Sequence, residues 1–471
     1  MKAEKNLLQL WAQAAAQMSS ILDSIDLTDS CAAHRSHDHA LETIRHIREI
    51  ESSHTGIINH LTKCVTQPDE PPLCHYEARL CDPTRWYGQQ QEITKIALGT
   101  SACDVVALAK VIGESIERFC LYFCRPELVV YSRYNEIKDQ ALDPRTCALP
   151  SNEELLSNRR ATLPLWPFSE KRKIGWVKGI ELLTNKEILL PASFVYIGYQ
   201  FNDEKERIIY PESTGAACGR SVEEALVKGI LEVIERDSFM ITWLNRIVPA
   251  EVVGLEKTNN QTLREYIRML AHYPATTRIY LLPSDLEVYS VLVTMLHGDD
   301  RLPTLCSGMC ASLDPASAIT KAIEEAIMVS NRMRVLSRRL KIHQLRRVSG
   351  AWYSTKDSLK KAVFLLNNEK TIDLDELPAY GQDTYPGSLK HLLHTLKSKE
   401  LSPICVDIGF QAIERLGFKI RKVIIPGMQP LSRGGVGGLY WFLTGRRISE
   451  VPAALGLKAL KKPYTAPTLW C

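Results

Sequence analysis

At 471 residues, 45% of them apolar and 24% charged, the chain is long enough for two or three domains and reads as an ordinary globular protein, not a disordered or fibrous one. A formal net charge of +4 spread over that length, with no extended Lys/Arg run, argues against nucleic acid as a partner. No apolar run reaches the roughly 18 residues of a membrane span, and the N-terminus lacks a signal peptide's apolar core and cleavage site, so a cytoplasmic protein is expected.

In chain order, residues 1–75 read as an N-terminal helical region ending at the breaker cluster QPDEPP, and 76–471 as the main domain, closed by a tail at 461–471. From 76 the pattern changes to short strands. Then SACDVVALAKVIGESIERFCLYF carries a long helical period, with Ser101 or Asp104 as its cap. Residues 142–170, rich in Pro, Asn and Ser, read as a long loop or lid. GWVKGIELLTNKEILLPASFVYIGYQF predicts a hairpin turning near Thr184-Asn185-Lys186.

STGAACGRSVEEALVKGILEVIERDSF reads as a small-residue loop feeding a helix, with Ser221 and Glu224 as a capping box. TRIYLLPSDLEVYSVLVTML gives two strands. SGMCASLDPASAITKAIEEA gives another loop and helix, Asp314-Pro315 opening it, and SPICVDIGF and RKVIIPGMQPL two more strands. Strands and helices alternate with hairpins among them, which predicts a mixed α/β (α+β) fold and not a doubly wound parallel sheet.

Thirteen cysteines in a reducing compartment read as thiols. Cys120/Cys124 and Cys306/Cys310 form CxxxC pairs, but neither has a second pair or a His-x3-His nearby, so buried structural thiols are preferred to a zinc site.

The chemistry lies in a repeat. ALAKVIGESIERF (107–119) and ALVKGILEVIERD (225–237) share Ala-Leu, Lys, Glu, Ile and Glu-Arg at the same offsets. AITKAIEEAIMVS (318–330) keeps Ala, Lys, Glu and Ile but has Met328 in place of the second Glu. Glu114/Glu117 and Glu232/Glu235 are i, i+3 pairs, each projecting from one helix face, while Ile112, Ile116, Ile230 and Ile234 turn toward the core.

Glu114–Arg118 and Glu232–Arg236 also fit ordinary i, i+4 surface pairs, worth about 0.2–0.5 kcal/mol. So weak a force does not explain the same positions recurring 118 residues apart, whereas a pseudo-symmetric site built from both helices does. Converging carboxylates about 4 Å apart repel by about 4 kcal/mol even at an effective dielectric near 20. They therefore need protons or cations, and all-oxygen donors select a hard ion such as Mg²⁺, usually shared with phosphate.

The loop Ser213–Ser221, with Ser213 and Gly215, suits phosphate because a helix N-terminus attracts anions, and Arg236 and Lys321 offer point contacts. No P-loop motif occurs, and GGVGG at 434–438 lacks dinucleotide-binding spacing. Glu224 reads equally as a cap or as a further ligand.

At these residues the sequence resembles the YcaO family, ATP-dependent enzymes that modify peptide backbones. The resemblance runs over most of the chain and rests on HRSHDHALETIRHIREI, GTSACDVVALAKVIGESIERF, STGAACGRSVEEALVKGILEVIERD and SGMCASLDPASAITKAIEEA. It implies a YcaO-type fold, with mixed sheets and long helices lining a central nucleotide and Mg²⁺ site. It further implies Mg²⁺ ligands at Glu114, Glu117, Glu232, Glu235 and Glu325, and ATP contacts from Arg35, Thr43, Ser101, Glu224, Arg236 and Lys321.

Within the family, RKVIIPGMQPLS and the final stretch resemble the cyclodehydratases that form azoline rings in ribosomal peptides. The implied reaction has a Cys, Ser or Thr side chain attack the preceding amide carbonyl. Phosphorylation of the resulting oxyanion by ATP then lets phosphate leave as the ring closes. Implied partners are a ribosomal precursor peptide, an E1-like leader-binding protein and a flavin-dependent azoline dehydrogenase; the sequence leaves homodimerisation open.

The chain departs from the family in three places. It ends KKPYTAPTLWC instead of in a Pro-x-Pro-x-Pro tail, leaving Pro467 and Cys471 as catalytic candidates, Arg220 stands near a frequent Asn, and Met328 replaces a usual Gln. These departures keep thioamidation, amidine formation and a non-catalytic nucleotide-binding scaffold as alternatives.

Overall fold

The computed structural model describes residues 34–45, 50, 56–66, 70–82, 96–157, 164–298, 304–341, 352–353, 355–367, 369–381, 384–432 and 441–469. Among them fourteen strands form three sheets. The first is an antiparallel meander, β1 (Ile58–Cys64), β2 (Cys74–Leu80) and β3 (Ile96–Ser101). The second has the order β11-β10-β9-β8-β12, built from β8 (Ala250–Val253), β9 (Thr276–Leu282), β10 (Tyr289–Leu296), β11 (Leu305–Ser312) and β12 (Thr371–Asp373).

The third sheet runs β4-β5-β13-β14-β7, with β6 on β5; its strands are β4 (Val130–Arg133), β5 (Lys173–Glu181), β6 (Lys186–Pro191), β7 (Ala216–Gly219), β13 (Ile404–Asp407) and β14 (Lys419–Ile424). The β8–β12 ladder alone among these named strands is parallel. The mixed fold expected from alternating helices and hairpins is the one observed, including the β5–β6 hairpin, whose turn residue Asn185 has φ 55°.

Seven helices of eight residues or more accompany the sheets among the described residues: α1 (His34–Arg45), α2 (Asp104–Tyr122), α3 (Val222–Asn245), α4 (Gln261–Ala271), α5 (Pro315–Ser337), α6 (Tyr385–Ser398) and α7 (Arg447–Ala454). In α2 the apolar residues Val105, Leu108, Val111, Ile112, Ile116 and Phe119 recur at helical spacing and are buried against the first and third sheets. Helix α3 is buried along nearly its whole length, enclosed by β7, β11, β14, α6 and α7. Helix α5 lies on β10 and β11, where Ile319, Ile323 and Ile327 enter the core of the second sheet.

Several local expectations change. Ile58–Cys64, read as part of a helical N-terminal region, is strand β1, because pairing with β2 outweighs a polar local pattern. The cap of α2 is neither Ser101 nor Asp104 but Cys103, which makes no side-chain capping bond. Ser221 caps α3 by accepting the Glu224 N–H, yet Glu224 returns its bond to the N–H of Arg220 at 2.9 Å, one residue earlier than a capping box requires. Asp314 and Pro315 open α5 as predicted, Asp314 accepting the Ser317 N–H at 2.8 Å.

Two stretches read as small-residue loops contain strands. AACG is β7 and the run through SGMCAS is β11. Small residues are required there for close packing: a Cβ on Gly308 would fall 2.3 Å from the Ala322 carbonyl and the Ala326 nitrogen, and one on Gly99 would fall 2.1 Å from the Ala107 carbonyl.

Candidate functional site

Three strand–helix units, β3–α2, β7–α3 and β11–α5, carry the repeated sequence, and each holds its shared glutamate in the same way. Glu114 Oε2 accepts the N–H of Leu98 at 2.6 Å, Glu232 Oε2 that of Gly215 at 3.0 Å, and Glu325 Oε2 that of Met309 at 2.6 Å. The sequence separations are 16, 17 and 16 residues. One oxygen of each carboxylate is thus fixed by the backbone beneath its helix.

The second glutamate of α3 reaches a different unit: Glu235 Oε2 accepts the Ala311 N–H of β11 at 2.9 Å. Arg236 stands between the two α3 carboxylates, with Nη2 3.5 Å from Glu232 Oε1 and Nη1 2.9 Å from Glu235 Oε1. On α2, Arg118 pairs with the first glutamate, its Nη2 lying 2.6 Å from Glu114 Oε1. The i, i+4 pairs expected of surface helices are therefore formed, half-buried where these helices meet their neighbours.

Glu114, Glu117 and Glu232 line a cavity of about 1070 Å³ together with Thr43 of α1, Lys110 of α2 and Lys228 of α3. Burial, then the neighbouring Glu232 and Glu114, pushes the Glu117 carboxyl well above the usual carboxylate range. Glu235 and Glu325 are raised as well, burial acting first and the surrounding carboxylates adding to it against Arg236. Lys422 of β14, electrostatically coupled to Glu117 and Glu232, has its ammonium pushed down to about 8 by burial.

Five carboxylates thus interact across three units with few cations among them, and each is an oxygen donor. That set fits a hard divalent ion. As they stand, no group of three or more among the described His, Cys, Asp and Glu side chains is arranged to hold one. Arg236 is interposed between Glu232 and Glu235.

The remaining expected residues divide. Thr43 and Glu224 line the cavity; Glu224 also accepts from Lys228 Nζ at 2.6 Å. Ser101 is buried at the end of β3 and accepts the Cys103 N–H at 3.4 Å. Ser213 accepts the Ala216 N–H through its carbonyl at 2.8 Å, and Gly215 gives its N–H to Glu232, so that amide is directed at a carboxylate where a phosphate contact was expected. Lys321 is exposed and does not line the cavity.

Pro467 lies away from the cavity, its carbonyl accepting the Tyr353 hydroxyl at 2.6 Å. The Arg35 side chain, Cys471 and the GGVGG stretch lie outside the described residues. The CxxxC cysteines are free thiols, with Cys120, Cys124 and Cys306 buried.

Lys110, Lys228, Tyr385 and Lys422 are absent from the residues expected from the sequence, where Arg220 figures only as a departure from the resembled family. The two lysines had a signal, since they occupy the repeat's shared Lys position. Arg220, on the cavity wall, donates to Glu42 Oε1 at 2.6 Å and to the Leu416 carbonyl at 3.0 Å and lies over the Phe418 ring; Tyr385 enters from α6. Neither these two nor Lys422 carries a local pattern.

An acidic cavity between two strand–helix units, backed by the carboxylate of a third, sized for a nucleotide and walled with lysines, defines a nucleotide-binding protein that uses a divalent cation. A family described as YcaO cyclodehydratase, ATP- and Mg²⁺-binding, matches residues 98–429, and the chain belongs to it. An uncharacterised protein of Methanothermobacter thermautotrophicus is 25% identical over 346 residues, covering 72% of this chain and 82% of its own.

Among solved structures, a heterocyclase in complex with substrate and cofactor superposes with a TM-score of 0.78 at 22% identity, covering 92% of this chain and 57% of that one. YcaO from Methanopyrus kandleri, bound with AMPPCP and Mg²⁺, gives 0.61 at 20% identity, covering 83% and 91%. The E. coli microcin synthetase McbBCD complex with pro-MccB17 bound gives 0.55 at 12% identity, covering 78% and 88%. These likenesses bear out the expected fold, and the family supplies ATP and Mg²⁺ as the cofactors. The chain spans only about three-fifths of the first heterocyclase's length. Among the described residues no helix is long and apolar enough to cross a membrane.

Proposed function

We propose that the protein is an ATP-dependent peptide cyclodehydratase. It converts Cys, Ser or Thr of a ribosomal precursor peptide into an azoline ring, working with a leader-binding partner protein and a flavin-dependent dehydrogenase that oxidises the product. The observation that carries this reading is the meeting of carboxylates from two strand–helix units, Glu114 and Glu117 of one and Glu232 of the other, at one cavity of nucleotide size, with Glu325 of the third unit coupled to them electrostatically.

In this reading Glu114, Glu117 and Glu232 hold Mg²⁺ at the cavity wall, with Glu235 and Glu325 completing the acidic cluster behind them. Bound Mg²⁺ would neutralise phosphate charge and activate the γ-phosphoryl group of ATP for transfer to the substrate amide oxygen. The backbone amides of Leu98, Gly215 and Met309 orient the carboxylates before any ligand arrives, so little reorganisation is left for the reaction itself. Lys110 and Lys228 place positive charge on the same wall, suited to phosphate oxygens, and Thr43 offers a hydroxyl from α1.

Incubation with the precursor peptide, its leader-binding partner and Mg²⁺-ATP should remove one water per ring from the peptide and release phosphate. Retention of the full peptide mass while ATP is present would defeat the assignment. The position of Pro467 favours a second reading, because it is anchored on Tyr353 and not at the cavity, whereas azoline-forming relatives of the resembled branch often bring a proline-rich tail to the site. The amide reaction is then thioamidation, and the same experiment with a sulfur donor would show exchange of oxygen for sulfur.

A further inference from the structure

A second cavity, of about 100 Å³, adjoins the carboxylate site through a shared loop and a shared lysine. Glu212 and Thr214 line it while the next residue, Gly215, binds Glu232. Lys422 lines it as well and is 2% exposed. Two of the three Lys422 N–H groups are given to the carbonyls of Glu212 at 2.7 Å and Thr214 at 2.6 Å, which leaves one donor.

Gln429, on the same wall, is 1% exposed; its Nε2 donates to the Phe442 carbonyl at 3.0 Å, and its Oε1, which lies against Gly445 beside Ala148, has no hydrogen-bond partner among the described residues. The rest of the lining is mainly apolar, with Ala148, Ile425 and Met428. The volume is well above the roughly 10–15 Å³ that one water needs. It is also small beside the nucleotide cavity of about 1070 Å³.

A cavity that offers one buried donor, one buried acceptor and an apolar pocket matches a peptide amide with a short side chain. We infer that this second cavity takes the residue being modified: its short side chain among Ala148, Ile425 and Met428, the preceding amide oxygen toward Lys422 Nζ, and an amide N–H toward Gln429 Oε1. Lys422 then faces the substrate oxygen from one side and the acidic cluster from the other. The negative charge that develops on that oxygen meets a cation already fixed by two carbonyls. The inference rests on the reading of the large cavity as a Mg²⁺-ATP site acting on a peptide.

The probe is N-acetyl-glycyl-cysteine amide, titrated by calorimetry in the presence of MgADP into the wild type and into Ala148→Leu, which fills the pocket from a position outside the nucleotide wall. The expected result is at least a tenfold loss of dipeptide affinity with MgADP affinity unchanged within about threefold. Equal dipeptide binding by both proteins, or none by a wild type that binds MgADP, overturns the inference while leaving the nucleotide reading intact. A wild type that fails to bind MgADP overturns both.

The wild type also supplies a test that no folding defect can confuse. A diazirine-bearing N-acetyl-photoleucyl-cysteine amide should cross-link to peptides containing 147–148, 209–214 or 422–430. Adducts confined to other regions overturn the inference.

Discussion

The amide hydrogen of Leu98 is held by the Glu114 carboxylate at 2.6 Å, joining a strand to the helix that follows it 16 residues on. Met309 and Glu325 repeat the bond at the same length and separation. The glutamates are oriented by backbone, which is why their charge can be concentrated in one place without the helices splaying apart.

Replacing one of these carboxylates should separate function from folding. Glu232→Gln is expected to keep the fold and to lower peptide-dependent ATP turnover by about 100-fold or more, about 2.7 kcal/mol. Glu117→Gln should do the same and also raise the melting temperature of the Mg²⁺-free protein, because it removes a carboxylate already pushed toward its neutral form. Turnover and thermal melts on the same preparations check both; full activity in Glu232→Gln would exclude it from the metal site.

Mg²⁺ affinity should depend on pH with a fixed sign. Glu117, Glu235 and Glu325 have raised carboxyl pKa values, so the ion must displace protons that ordinary carboxylates would already have lost. Affinity is therefore expected to strengthen as pH rises through and above the usual carboxylate range, with proton release on binding. In the metal-free protein the same groups favour the folded state at low pH, and their contribution is lost as pH rises through the raised values. Calorimetric titrations with Mg²⁺ in two buffers of different ionisation enthalpy measure the protons; none released near pH 6 would contradict the prediction.

Gly308→Ala and Gly99→Ala should each destabilise the protein through overpacking. The added Cβ would meet helix backbone at 2.3 Å and 2.1 Å respectively, and backbone cannot rotate away as a side chain can. A loss of about 1–3 kcal/mol or more is expected in urea unfolding. Gly298→Ala, with nothing among the described residues within 4 Å of its Cβ, is the control and should change little.

The pair Arg447–Asp237 should be far more sensitive to losing one partner than to losing both. Arg447 Nη2 lies 2.7 Å from Asp237 Oδ2 and 2.8 Å from Asp285 Oδ1, with the Arg447 and Asp237 side chains 4% and 2% exposed, and it ties α7 to the helix carrying Glu232 and Glu235. Arg447→Met alone should cost about 3–5 kcal/mol by leaving buried acids unpaired. Combining it with Asp237→Asn should recover part of that loss, as a double-mutant cycle would measure.

Much was legible without coordinates. The recurrence of Lys, Glu and Glu-Arg at 107–119 and 225–237 marked the site helices because so weak a surface pair has no reason to repeat. Helical periodicity, the Asp314-Pro315 start and the β5–β6 turn were equally visible, since each is set by residues close in the chain. AACG and SGMCAS read as loops in the sequence and are strands in the structure, because small residues signal both turns and tight helix–strand contact. Only the neighbouring element decides between those meanings.

The sequence by itself determined which helices carry acid and on which face, because that depends on 3.6-residue periodicity alone. The tertiary structure decided what those faces meet: that Glu235 crosses to β11, that Lys422 comes from a strand nearly two hundred residues away to neighbour Glu232, and that Lys321 is left outside the cavity. Such contacts follow from how sheets pair and pack over long separations, and no local residue pattern encodes them.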